Sequence, residues 1–300
     1  RLATGRTLTV GAVAPFLGRW FFGQVLSGVE EVLREDGFDL LLYALPDDES
    51  RTRFFDMLPL RRRVDAVLVL TLPLDDDELA ALWALDVPMV SVGVDVPGGS
   101  YVRIDDSEGA RLATRHLVDL GHRRIAMIGG DRDESPHFTA PHARREGFRR
   151  ALREAGLEPD PRMEVEGYFT VDGGGRAMSE LLGRADPPTA VFAQSDEMAF
   201  GAVRAIERAG LRVPDDISII GFDDHELASV VGLTTVAQQV MLQGRLAARL
   251  VLDELEHAAL DRRGRYRRPA GQGHFVPTEL VVRGTTAPPR VRAFSAPAGR

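Results

Sequence analysis

"PTAVFAQSDEMAFGAVRAIERAGLRVPDDISIIGFDD", residues 188–224, decides the fold. The apolar run at 189–193 reads as a strand, 196–209 carries a helical pattern, and Ile217 to Ile220 reads as a second buried strand. A strand, a helix of ten or more residues and another strand make a crossover unit, which belongs to a parallel sheet covered on both faces. The second strand runs through Gly221 and Phe222 into Asp223 and Asp224. Charges seldom stay buried unless something pairs with them, so two carboxylates there mark a sheet terminus opening on a cleft.

The same alternation extends outward. Strands are expected at 7–14, 38–45, 64–70, 87–93, 101–105, 124–130 and 163–169, with helices at about 21–36, 50–60, 75–85, 107–120, 141–155, 173–184 and 239–258, and a final strand at 274–282. That is too many strands for one small domain. Two doubly wound lobes of roughly 100–150 residues each suit the length, with ligand outside the carboxyl ends of the strands. Polar residues follow the apolar runs abruptly at Asp105, at Gln194-Ser195-Asp196 and at Asp223-Asp224, so the rim of an interlobe cleft is the place to search.

Composition narrows the function. The chain has 300 residues, 44% of them hydrophobic, a formal net charge of −8 and no cysteine. Disulfides, thiolate catalysis and cysteine zinc sites are excluded. No run of about 18 apolar residues is present to span a membrane, and no apolar signal segment opens the sequence. All 37 basic residues are arginine, which removes Schiff-base and phosphate-loop lysines. A body this acidic is a poor non-specific binder of nucleic acid, so any such role belongs to a local patch or to a separate segment.

No nucleophile elbow, zinc-binding histidine pair or phosphate loop is found, and the seven histidines offer no spacing for a metal. No enzyme, cofactor or metal is expected. Asp75-Asp76-Asp77 reads as a helix cap. In "FTAPHARREGFRRAL" (138–152), Arg144 falls in the first turn of a helix starting near Pro141, where the dipole favours an anion. Its fork of donors suits paired hydroxyls or a carboxylate, and an ordinary surface arginine is the competing reading. Trp20, Phe21, Phe22 and Phe169 fit either a core or a stacking face for a sugar or base.

With these residues assembled, the chain resembles the effector-binding and dimerisation core of the LacI/GalR family of bacterial transcription regulators. The likeness covers about residues 2 to 286 and rests on segments in family order: "TLTVGAVAP", "VDAVLVL", "VPMVSVG", "VRIDDSEGARLATRHLVDLGHRRIAMIGG", "HARREGFRRALREAGL", the opening stretch, and "LTTVAQQVMLQGRLAARLVLDEL". The resemblance implies an α/β fold of two Rossmann-like doubly wound parallel-sheet lobes joined by three crossovers, like type I periplasmic binding proteins. Residues 7–120 plus 240–267 would form the first lobe and 121–239 plus 274–286 the second, with 1–6 a hinge remnant and 287–300 a disordered tail.

The resemblance further implies a small polar effector held by Phe21, Phe22, Asp105, Glu108, Arg144, Phe169, Ser195, Asp196, Asp223 and Gln238, with Asp224 serving local structure. Ser195 replaces the family's usual asparagine, and Tyr168 replaces the commoner aspartate before Phe169. Leu2 stands where the family's minor-groove wedge stands. A helix-turn-helix headpiece would precede it, making this a truncated core. The expected protein is a cytoplasmic homodimeric regulator, by family default a repressor, whose effector alters whether two headpieces reach operator half-sites about one helical turn apart. Carboxylates beside one arginine favour a neutral hydroxylated ligand, a sugar before a nucleoside. A secreted sugar-binding protein shares the fold and is the alternative.

Overall fold

The computed structural model describes residues 6–72, 74–130, 139–257 and 271–290. Two compact units emerge. The first opens with β1 (Thr9–Ala14), α1 (Trp20–Glu35), β2 (Asp39–Ala44), α2 (Asp48–Met57), β3 (Ala66–Leu70), α3 (Asp76–Trp83), β4 (Met89–Val92) and β5 (Ser100–Arg103). The chain passes to the second unit at Asp105–Asp106. There it forms α4 (Asp106–Asp119), β6 (Ile125–Gly129), α5 (Ala140–Glu154), β7 (Glu164–Glu166), α6 (Val171–Leu182), β8 (Ala190–Ala193), α7 (Asp196–Arg208), β9 (Ser218–Asp223), α8 (Glu226–Val231) and β10 (Thr234–Ala237). It returns at Gln238 for α9 (Val240–Glu256) and β11 (Gly273–Phe275), and crosses again at Glu279 for β12 (Glu279–Val281).

The first sheet has the order β11-β5-β4-β3-β1-β2, with every pairing parallel. The second has the order β12-β10-β9-β8-β6-β7, parallel except for β12 against β10. Each sheet reverses its direction of growth beside its first strand: β2 pairs on one side of β1 and β3 on the other, and β7 and β8 likewise flank β6. Such switch points are where open sheets of this kind part their connections and leave a crevice at the strand ends. Their central strands are buried on both faces, which is why β3, β4, β6, β8 and β9 read as continuous apolar runs.

Helix boundaries follow local chemistry. Asp75 caps α3 in a reciprocal box with Glu78, its side chain accepting from the Glu78 amide at 2.8 Å. In the opening stretch, α7 starts on a Ser195 cap, carries Asp196 and Glu197 in its first turn and Arg208 in its last, and buries Met198, Ala199, Ala202 and Ile206 at helical spacing. Among the described residues, no helix is long and apolar enough to cross a membrane.

Three boundaries differ from the sequence reading. The helix expected at 107–120 in the first lobe is α4, and it belongs to the second unit, where Ala110, Ala113, Thr114 and Leu117 cover that unit's sheet beside β9 and β10. The final strand expected at 274–282 is two strands in different sheets, divided at Val276-Pro277-Thr278, because a proline cannot donate to a ladder. Of the tail expected to be disordered, residues 287–290 are held in place. Ala287 exchanges hydrogen bonds with Ser218 and accepts one from the buried His122, and Arg290 pairs with Asp215 at 2.9 Å. Leu2, residues 258–270 and residues 291–300 lie outside the described residues.

Candidate functional site

The second unit gathers its polar residues at the switch point of its sheet. Arg144 sits one turn into α5 and is only 5% exposed. Its Nε donates to Asp106 Oδ1 at 2.8 Å, and its Nη1 donates to the carbonyl of Gln194 at 2.5 Å, just past the end of β8. The guanidinium lies over the Phe222 ring, 3.8 Å from its centroid, and Nη1 is 4.0 Å from Asp223 Oδ1. Asp223, at the end of β9, is 8% exposed and holds φ at 126°, a conformation that an L residue adopts only when its surroundings require it.

This arrangement gives a hydroxyl what it needs. An O–H both donates and accepts, and here a cationic donor stands beside a carboxylate acceptor on an aromatic platform. The guanidinium is already oriented from behind by Asp106 and the Gln194 carbonyl, so little freedom is lost when a ligand arrives. Gln194 is itself buried. Its Oε1 accepts from the Gly130 amide at 3.2 Å and its Nε2 donates to the Pro141 carbonyl at 3.1 Å, tying β6 to the start of α5.

Phe169 lies in the left-handed region at φ 52° between β7 and α6, and its ring packs against Gly130, where a Cβ would approach within 2.5 Å. Only glycine at the end of β6 lets this aromatic reach the switch point. Tyr168 beside it is exposed and donates to Glu166 Oε2 at 3.1 Å.

Several residues expected as ligands hold structural bonds in this chain. Glu108 is held by Arg111 at 2.6 and 2.8 Å and by Arg150 at 3.3 Å, within a network that includes Glu154. Hydrogen bonding to Arg111 keeps its carboxyl below the usual range. The Ser195 hydroxyl accepts from the Met198 amide at 3.3 Å as the cap of α7. Asp196 is 0% exposed: Oδ1 accepts from Thr235 Oγ1 at 2.6 Å and Oδ2 from the His225 amide at 2.8 Å, which pins α7 to the chain after β9 and to β10. Burial first, and then the charge of Asp223, raises its carboxyl well above the ordinary value. Asp224, at φ 59°, pairs with Arg283 at 2.7 Å.

In the first unit, the carboxyl end of β1 leads through Phe16 and Arg19 into α1. The Arg19 guanidinium covers the Phe16 ring at 3.7 Å. Phe22 is 2% exposed and packs edge-on to Phe16 and Phe21, so it is a core ring that supports Phe21, which is half-buried. Asp105, past the end of β5, is exposed. Gln238 is buried, and its carbonyl accepts from Gln243 Nε2 at 2.7 Å.

Sequence reasoning singled out Arg144 and Asp223, which the structure places 4.0 Å apart, and did not name Asp106, Gln194 and Phe222 as their neighbours. Each had a signal: a second aspartate beside Asp105, an amide ending an apolar run, and an aromatic just before the paired aspartates.

Comparisons with known proteins agree with this architecture. Residues 114–286 match the periplasmic binding protein-like domain family. The HTH-type transcriptional regulator DegA of Bacillus subtilis is 35% identical over 291 residues, 94% of this chain and 82% of that protein. Among solved structures, a complex of the transcriptional regulator CelR with cellobiose superimposes with a TM-score of 0.80 at 35% identity, covering 93% of this chain and 85% of that one. A regulator from Enterococcus faecium with bound ribose gives 0.78 at 29% identity, covering 94% and 100%.

Proposed function

Because this chain belongs to the LacI family of transcriptional regulators, we propose that it is the effector-sensing core of a repressor whose ligand is a neutral, hydroxyl-rich molecule, a sugar. The observation that carries the reading is the buried Arg144 guanidinium, fixed by Asp106 and the Gln194 carbonyl over Phe222 and set 4.0 Å from Asp223. A hydroxyl has the two capacities this pair addresses, accepting from Arg144 and donating to Asp223. An anion would meet Asp106, Asp223 and the neighbouring Asp196, and is disfavoured. The relatives solved with cellobiose and ribose support the same ligand class.

The ligand acts by binding two conformations of the regulator with different affinity, which shifts their populations and thereby the affinity for DNA. Operator contact is made by a helix-turn-helix headpiece of the whole regulator, as in the HTH-type relatives, and the working form is a cytoplasmic homodimer. The matched relatives are regulators, and turnover has no part in the reading. Phe21, Asp105, Phe169 and Gln238 remain ligand candidates on their own strand ends and turns.

A thermal-shift screen of mono- and disaccharides, nucleosides and sugar phosphates tests this. A neutral sugar is expected to raise the melting midpoint of wild type and to lose that effect in Arg144→Ala and Asp223→Ala. A sugar that stabilises all three equally removes the site, and stabilisation by nucleosides alone removes the ligand class.

A further inference from the structure

The second unit carries a basic groove that effector sensing does not use. Where α6 and α7 cross, their backbones come close because glycines meet there: a Cβ on Gly201 would collide with the Val171 carbonyl oxygen, and one on Gly174 with that of Met198. Beside this crossing a cavity of about 640 Å³ opens to solvent, lined by Val171, Asp172, Arg176 and Ser179 of α6 and by Arg204 and Arg208 of α7. Its volume lies within the range of small-molecule sites. None of these residues belongs to the surroundings of Arg144.

The charge of this groove is out of keeping with the rest of the chain. The formal net charge is −8, and almost every described arginine of the second unit is held by a carboxylate, from Arg111 with Glu108 to Arg290 with Asp215. Arg176 and Arg208 are exceptions, with no ion pair and no hydrogen-bond partner among the described residues. Arg204 has one pair, with Glu207 at 3.3 Å, and both side chains are more than half exposed, the kind of pair that solvent leaves weak. Arg204 and Arg208 stand four apart on α7, a spacing at which like charges repel. Asp172 is the one carboxylate among the described lining residues, and it pairs with none of the three arginines. All three guanidiniums are exposed, so an anion reaches their donors without displacing any part of the protein.

We propose that the groove between α6 and α7 is a second ligand site, for a diphosphate group. Guanidinium forks match phosphate oxygens two at a time, and these forks stand on both walls. A diphosphate presents two sets of oxygens and can engage Arg176 from one wall and Arg204 or Arg208 from the other. A single tetrahedral anion such as sulfate engages one wall and binds less tightly. Apart from Val171, which is 46% exposed, the groove offers little apolar surface, so recognition rests on the diphosphate and not on what carries it.

The probe is inorganic pyrophosphate, titrated calorimetrically into the whole 300-residue chain, with sulfate at matched ionic strength as the control and ADP as a carrier of the same group. Pyrophosphate is expected to saturate with a Kd below about 1 mM at low salt, about tenfold tighter than sulfate, and to weaken several-fold as salt screens the exposed charges. ADP binding alongside pyrophosphate identifies a carried diphosphate, and pyrophosphate binding alone identifies the free ion. The double variant Arg176→Gln, Arg208→Gln is expected to lower pyrophosphate affinity about tenfold or more while melting like wild type, since neither side chain has a protein partner. Ser179→Glu, which sets a carboxylate on the α6 wall, should weaken binding as well, and Arg123→Gln, an exposed arginine outside the groove, should change it little. Arg144→Ala is expected to leave pyrophosphate binding unchanged, so failure here is separable from failure of the sugar reading. Absence of saturation, sulfate binding as tight as pyrophosphate binding, or affinity undiminished in both the double variant and Ser179→Glu overturns the proposal. So does a change of sedimentation in those variants without any loss of pyrophosphate affinity, which would make the groove an interface between copies of this chain.

Discussion

Gly147 offers a severe test of the site because it does not touch any ligand. It lies one turn after Arg144 on the face of α5 that meets the start of α4, and a Cβ there would stand 2.0 Å from the Ser107 carbonyl oxygen. Real Cβ contacts are essentially never closer than 3.0 Å, so Gly147→Ala must part the two helices by about 1 Å. The neighbouring Arg144 Nε to Asp106 Oδ1 bond, 2.8 Å long, would stretch to about 3.8 Å, beyond hydrogen-bonding range. Overpacking contributes about 1–3 kcal/mol, and loss of a charge-assisted bond about 1.5–3 kcal/mol. Against these stands about 1 kcal/mol gained by placing alanine in a helix.

A net loss of about 3 kcal/mol follows, which for a unit of this size lowers the melting temperature by about 6–12 °C. Effector affinity should fall as well, since the guanidinium is no longer braced. Gly175→Ala is the control. Gly175 is also inside a helix, but its nearest neighbour would be the Gly201 carbonyl oxygen at 3.4 Å, an ordinary contact. That variant should melt at or slightly above wild type. Scanning calorimetry decides the matter: if Gly147→Ala is as stable as Gly175→Ala, the close approach does not brace Arg144 and the argument fails.

Other outcomes follow from the same geometry. Glu108→Ala should leave effector binding unchanged by calorimetry and lower stability by less than about 1 kcal/mol, because its ion pairs are at the surface and screened. Asp196→Asn should melt at or above wild type near neutral pH. Its folded pKa is raised above the unfolded value, so the ionised native state is penalised, and the advantage of asparagine should shrink as pH falls toward the ordinary carboxylate value of 3.8. His122 titrates with the opposite sign. Burial lowers its pKa below the ordinary 6.5, so its contribution is complete above that value and is lost as pH falls through and below it. Melting curves of wild type and His122→Asn from pH 8 to pH 5 should converge at the acid end; parallel curves would show that His122 is not the titrating group.

The sheets were legible in the sequence because parallel central strands are apolar on both faces and their crossovers are long helices, a pattern that survives without any neighbour's coordinates. Arg144 was legible for a different reason: a cation in a helix's first turn opposes the dipole, so something else must hold it there. What held it could not be read. Asp106 is 38 residues away in sequence and the Gln194 carbonyl 50, and a backbone oxygen leaves no trace in residue identity. The assignment of α4 failed similarly, since its apolar face would suit either sheet and only packing selects one.

The bonds that sequence could not show share a physical cause. At three strand termini the chain offers neighbouring polar residues, Asp105-Asp106, Ser195-Asp196 and Asp223-Asp224, and the sequence reading named Asp105, both Ser195 and Asp196, and Asp223 as ligands while leaving Asp224 to local structure. Each pair straddles the change from one backbone conformation to the next, so its two side chains leave in different directions. Asp106 enters α4 and turns to Arg144. Ser195 caps α7 while Asp196 is drawn inward to Thr235 and the His225 amide, and Asp224 is taken by Arg283. Anchoring a strand end and meeting a solute both require polar atoms at the same place, and the structural claim is met first because it acts in every folded molecule, with or without ligand. Under the proposed sugar reading Asp223, 4.0 Å from the Arg144 guanidinium and held at the end of β9 with φ at 126°, is the carboxylate of the second unit whose loss should weaken ligand binding most.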